Sequence, residues 1–153
     1  MSAQTKQFCT FFLEGHYFGV PVQQVQEVLR YQEMTEVPLV SSVVRGLINL
    51  RGQIITAVDL RRQLGMTDRP EKQKPMNVIM RTADGAFSLL VDEIGDVVEV
   101  EETTFEPPPE TLQGSMRTII LGVHKLNGRL LHVLDIEKAC QMTELAGGVA
   151  SGR

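Results

Sequence analysis

Short runs of Val, Ile, Leu, Phe and Thr recur along the chain, each bounded by Gly, Pro or an Asp/Asn turn, and this pattern predicts strands rather than helices. Residues 8–13 and 17–21 flank Glu14-Gly15-His16 and read as a hairpin. Residues 78–81 and 87–91 do the same around Ala83-Asp84-Gly85, where Asp-Gly is a strong turn signal. Each hairpin is followed by a similar segment, VQQVQEV at 22–28 and VDEIGDV at 91–97, and the two superpose with a shift of 69 residues.

A second echo is stronger. Residues 46–62 match 122–138 at a constant shift of 76, with identities at Gly46/Gly122, Leu50/Leu126, Gly52/Gly128 and Asp59/Asp135. The repeated unit is a glycine, an apolar run, a glycine turn, a second apolar run, an aspartate and a short helix. Two similar small β-barrels in one chain follow. Gly52 and Gly128 would supply the positive φ of each turn, and Asp59 and Asp135 would cap the short helices. Gly65 is expected to end the first helix, and the second is expected to span 136 to about 145. The polar, proline-bounded stretch 66–75 reads as a linker or long loop, 107–109 (PPP) as a stiff connector, and 146–153 as a fraying tail. The expected organisation is one domain over 1–153, with a first barrel at 16–70, a second at 76–140 and a shared N-terminal strand at 8–14.

Composition narrows the function. A chain of 153 residues, 42% hydrophobic and 22% charged, is a folded domain. A net charge of −4 and a pI near 5.4 oppose general binding to nucleic acid or anionic membrane. No apolar run is long enough to span a bilayer, the amino end lacks the pattern of an export signal, and Cys9 and Cys140 form no CxxC pair. A cytoplasmic protein with two reduced, buried thiols is expected.

Candidate chemistry is sparse. His16, His124 and His132 have no partner at metal-ligand spacing and read as surface or strand-face histidines. Nucleophile, zinc-protease, P-loop and dinucleotide motifs are missing from the sequence, and the acid pairs Asp92/Glu93 and Glu101/Glu102 point to opposite faces of a strand. An enzyme has no visible nucleophile and base. Polar residues interrupt an apolar run at RGLINLRGQ (45–53), where Arg45 and Arg51 flank two glycines. Arg51 reads either as a solvated hairpin tip or as a guanidinium offered to a partner carboxylate. Arg61 and Arg62 read as decoration on the exposed side of a short helix. The four arginines are the one feature favouring an SH3-like or OB-like nucleic-acid barrel, against the acidic pI and the 5% aromatic content.

The same stretch, VRGLINLRGQIITAVDLRRQLG at 44–65, resembles the most characteristic segment of the CheW family of chemotaxis adaptors. Three blocks agree with it in order: VPVQQVQEVLRY at 20–31, SLLVDEIGDVVEV at 88–100 and GVHKLNGRLLHVLDIEKA at 122–139. The resemblance implies a mainly β fold of two SH3-like five-stranded barrels sharing a hydrophobic core. It also implies a non-catalytic scaffold, without cofactor or metal, that couples the cytoplasmic tips of chemoreceptors to the histidine kinase CheA. Such a scaffold inserts into no membrane and is recruited to receptor arrays. By resemblance the kinase's regulatory domain would dock at Val25, Gln26, Glu27, Arg45 and Gly46, and the receptor tip in a groove reached by Val22, Val25, Val91 and Arg51. One departure matters: the second echo reads KLNG where the first reads NLRG, so the arginine occurs once. The length leaves no room for a fused kinase or receiver, so a stand-alone adaptor is expected.

Overall fold

The computed structural model describes residues 4–38 and 40–141. Glu14 and Gly15 both take positive φ (50° and 80°), a two-residue turn closing β1 (Thr5–Leu13) onto β2 (His16–Pro21). His16 therefore starts the second strand instead of completing a three-residue turn. After a 3₁₀ turn at Val22–Gln24 comes β3 (Val25–Leu29), then β4 (Val44–Leu50), β5 (Gln53–Asp59) and the one-turn helix α1 (Leu60–Gln63). A second hairpin, β6 (Met76–Thr82) with β7 (Gly85–Val91), leads into β8 (Glu93–Glu101). The two-residue β9 (Phe105–Glu106), α2 (Gly114–Ile119), β10 (Ile120–Leu126), β11 (Arg129–Leu134) and α3 (Ile136–Ala139) complete the described chain. The second helix ends at Ala139, short of the expected 145, with Cys140 as its C-cap and Gln141 beyond it; residues 142–145 and the tail lie outside the described residues.

The strands form two sheets, ordered β8-β1-β2-β11-β10-β9 and β3-β6-β7-β5-β4. Both sequence echoes are visible in the registers. Phe18 and Gly19 of β2 pair in parallel with His132 and Val133 of β11, and Phe87 and Ser88 of β7 pair in parallel with Thr56 and Ala57 of β5. Bulges recur at matching places, between Val44 and Gly46 and between Ile120 and Gly122. The amides of Asp59 and Asp135 donate to Val43 O and Ile119 O at 2.7 and 2.8 Å.

The sheets do not follow the expected division at 70/76. The first hairpin (β1–β2) pairs with β8 and β11, and the second (β6–β7) pairs with β3 and β5. Each repeat thus lends its hairpin to the other's sheet, and the two small barrels are intertwined. A hydrophobic cluster joining Phe11, Phe18 and Val20 of one sheet to Val58, Met80, Leu89 and Val91 of the other forms the shared core. Smaller clusters line each sheet alone, around Phe8, Tyr17 and Leu131 and around Ile48, Ile55 and Leu90. Gln63 adds a polar tie, its amide donating to the carbonyls of Ala139 and Gln141 at 3.2 and 2.6 Å beside α3.

Candidate partner-binding surface

Strands β3 and β4 end opposite sides of their sheet, yet the Arg51 guanidinium in the β4–β5 turn donates to the Glu27 carboxylate on β3. The sheet therefore curls until its edges meet. Arg51 has φ 52° and Gly52 φ 87°, a left-handed pair that holds the arginine at the tip, 66% of its side chain exposed. Gln26 is exposed, while Val22 and Val25 are half-buried and Val25 packs against the shared core. Val28 (38% exposed) follows Glu27 directly, and Ile54 (58%) stands three residues beyond Arg51. Val28 alternates with Glu27 along β3 and so shares the outward face of Gln26, and the exposed aliphatic side chains and the Arg51–Glu27 pair are separate features of this sheet.

Arg45 reaches inward rather than out, its Nη1 donating to Asp59 Oδ2 at 3.0 Å. Asp59 is fully buried; its other oxygen caps α1 by accepting from the Arg61 amide at 3.1 Å. Asp135 makes the matching cap by accepting from the Lys138 amide at 3.3 Å, and Gly128 (φ 76°) turns β10 into β11. Gly46 is buried because β4 meets the preceding segment there: a Cβ would stand 2.6 Å from the Thr35 carbonyl oxygen. Its side of the surface is backbone.

Val91 departs from expectation. It is fully buried in the shared core, because the last residue of β7 faces the opposing sheet, and it offers nothing to a partner. Arg61 departs too: only 6% exposed, it grips Asp92 with both Nε and Nη2, at 2.9 and 2.5 Å. Arg69, in the stretch read as linker, shares that carboxylate at 2.8 Å. Burial works to raise the Asp92 carboxyl, but hydrogen bonds from Arg61, the Glu14 amide and Arg69 outweigh it and hold the group below its ordinary range. Arg62 stays nearer the surface, bonded to Asp68 and to Ser42 O. His124 takes the strand-face placement of the two expected, on β10 and buried between Phe8 and Phe105. Burial, then the Lys6 charge, lowers its pKa. Cys140 is buried, which pushes its thiol up to about 12, well above the reactive range. Among the described residues no group of three His, Cys, Asp or Glu is placed to hold a metal ion.

Residues 7–144 match the family described as the CheW-like domain. This chain belongs to the CheW-like family. The CheW-like chain is 30% identical over 138 residues to the chemotaxis protein CheW of Bacillus subtilis, with 88% of each chain covered. It is 29% identical to the chemotaxis protein CheW of Thermotoga maritima, covering 92% of this chain and 91% of that one. Its structure superposes on the scaffolding protein TtCheW of Thermoanaerobacter tengcongensis with a TM-score of 0.77 at 25% identity, over 86% of this chain and 90% of that chain. No helix among the described residues is long and apolar enough to cross a membrane.

Within the CheW-like fold the repeats expose what has diverged. The positions equivalent to Glu27, Arg45 and Arg51 are Asp96, Leu121 and Asn127. Leu121, 52% exposed, lies beside the exposed Phe105, so the second repeat keeps the acid but replaces one arginine with an apolar side chain and the other with a neutral amide. Sequence reading found the arginine turn but missed Val28 and Ile54, since lone aliphatic residues in strands read as core. Alternation along β5, where Ile55 is buried and Ile54 is not, is the signal that could have located the second of them.

Proposed function

We propose that this CheW-like chain is a non-catalytic coupling adaptor of chemotaxis signalling, acting in the cytoplasm by holding a CheA-type histidine kinase against the cytoplasmic tip of a chemoreceptor. The observation that carries the reading is the unequal duplication. Two barrels of one topology present different chemistry at equivalent positions, and an adaptor for two unlike partners requires that difference.

The kinase's regulatory domain docks on the β3 edge through Val25, Gln26 and Glu27, with Arg45 and the Gly46 backbone beside them. The receptor tip meets the Arg51 turn and Val22, with Val28 and Ile54 adding apolar contact; Val91 takes no part. Because Arg51 and Glu27 are bonded to each other, each partner meets a residue already held by one assigned to the other. Docking on one side that draws Glu27 away releases Arg51 for the other, which gives the two interfaces a means of communication. Interfaces of about 1,000–1,600 Å² at micromolar affinity suit an adaptor that rearranges within an array, where multiplicity makes weak contacts firm.

The test is to titrate isotope-labelled protein with the regulatory domain of a CheA-type kinase and follow backbone amide shifts. Shifts concentrated on 25–29 and 45–46 support the assignment. Shifts confined to β8–β11, or no saturable shift, overturn it.

A further inference from the structure

β2 and β11 run parallel, so the β1–β2 turn and the start of β11 come together at one end of the six-stranded sheet. Phe12 on β1 and Tyr17 on β2 pair there across the hairpin, their ring centroids 5.1 Å apart. Arg129, the first residue of β11, lays its guanidinium over both rings, 4.1 Å from the Tyr17 centroid and 5.5 Å from that of Phe12. With Leu130, His16 and His132 these three residues line a cleft of about 340 Å³. At the repeat shifts of 69 and 76 residues, the equivalents of Phe12, Tyr17, Arg129 and His132 are Arg81, Ala86, Gln53 and Thr56. The first repeat closes the same fold without an arginine on an aromatic pair, so the fold does not require that group.

Among the described residues Arg129 makes no hydrogen bond or ion pair; its contacts are the two rings. The nearby carboxylates do not occupy it. Glu14, at the hairpin turn, accepts from the Thr67 hydroxyl and pairs with Arg61, and Glu93, opposite Phe12 on β8, forms no bond with the guanidinium. No acidic side chain lines the cleft. Stacking engages the flat face of a guanidinium and leaves the five N–H groups at its edge available. The side chain is exposed, so those donors reach solvent, and the aromatic floor restricts where they stand.

We propose that this cleft binds a carboxylate carried on a small apolar body, the carboxylate accepting two hydrogen bonds from Arg129 and the body lying against Phe12 and Leu130. A single planar fork matches a planar carboxylate, whereas a tetrahedral oxyanion is held best by donors converging from several sides. The volume is close to the lower bound of about 300 Å³ for ligand pockets, which limits the body to about one ring or one aliphatic side chain. A free acid and an acidic residue beside an apolar one in a partner's peptide share this chemistry. The cleft belongs to the other sheet from the proposed kinase-binding edge and does not depend on that assignment.

The experiment uses the full chain, isotope-labelled and titrated at constant ionic strength with hydrocinnamate in one arm and the blocked dipeptide acetyl-Glu-Leu-amide in the other. Hydrocinnamide and the blocked Gln-Leu dipeptide are the neutral references. Saturable shifts of the Arg129 side chain and of the amides at 15–17 and 129–132 are expected, with a Kd of about 1 mM for the better acid and about tenfold weaker binding of its amide. Tighter binding of hydrocinnamate points to a free acid, and tighter binding of the dipeptide to a partner segment. Arg129→Gln, which installs the residue of the first repeat at an exposed position, should fold normally and weaken binding about tenfold. Arg129→Lys keeps the charge without the fork and should weaken it about threefold or more. Lys125→Gln, exposed but outside the cleft, should leave the Kd within about twofold. Absence of saturation by either acid, amides that bind as well as the acids, or an Arg129→Lys variant that binds like the parent would overturn the site. Arg129 would then only cover the aromatic pair or attract anions diffusely.

Discussion

Arg51 is best tested by replacing it with asparagine, the residue at the equivalent position of the second repeat. The substitution removes an ion pair whose side chains are 66% and 26% exposed, a contact worth about 0–1 kcal/mol. It also places at φ 52° a residue that tolerates left-handed backbone, recovering up to about 1 kcal/mol. The two effects offset, and stability should change by less than about 1 kcal/mol, a shift of no more than about 4 °C in Tm for a domain of this size. Binding should respond differently. Loss of a charge-assisted hydrogen bond at an interface costs about 1.5–3 kcal/mol, a Kd for a receptor-tip fragment weaker by about 10- to 150-fold. Thermal unfolding and isothermal titration on the same sample separate the two. A Kd within about twofold of the parent, or a Tm lowered by more than about 8 °C, would refute the reasoning.

Three further perturbations probe the rest of the account. Val25→Asp puts an unpaired charge where β3 meets the core, and it should weaken kinase binding while costing about 1–3 kcal/mol of stability; unchanged titration curves would dismiss its interface role. Asp92→Asn strips Arg61 and Arg69 of their shared anion and should cost about 3–5 kcal/mol in urea unfolding, whereas a loss under about 1 kcal/mol would mean the network is incidental. On acidification, the His124 pKa lowered by burial means the unfolded chain binds the extra proton first, so stability should begin to fall below about pH 6.5; the depressed Asp92 adds a further loss below about pH 4. A stability profile flat from pH 7 to 5 would contradict the His124 assignment. Because the repeats exchange hairpins, probes in either sheet should report one coincident unfolding transition, and two separable ones would contradict the intertwining.

The parts of the fold carried by local pattern were legible in the sequence. Both hairpins, the echo at 76 residues, the Asp59 and Asp135 helix starts and the Arg51-Gly52 turn depend on neighbours in the chain, and periodicity and turn chemistry report those directly. Sheet membership was not legible, because which hairpin a strand pairs with is decided by long-range burial: β1–β2 would satisfy its hydrogen bonds equally well in either sheet. The same limit misplaced Arg61 and Val91. An arginine in a one-turn helix reads as solvated until Asp92, 31 residues on, is seen to meet it. Val91, given to the receptor groove by resemblance alone, is covered by the opposing sheet. Short β9 and α2 carry too few residues for any periodicity.

The adaptor reading stands on simultaneous binding, and sequential isothermal titration measures it most directly. Purified protein would be saturated with the regulatory domain of a CheA-type kinase from the same organism and then titrated with a receptor-tip fragment. Saturable binding at both steps, one equivalent each, is the expected result. Failure of either partner to bind a well-folded sample, or displacement of the first by the second, would contradict it.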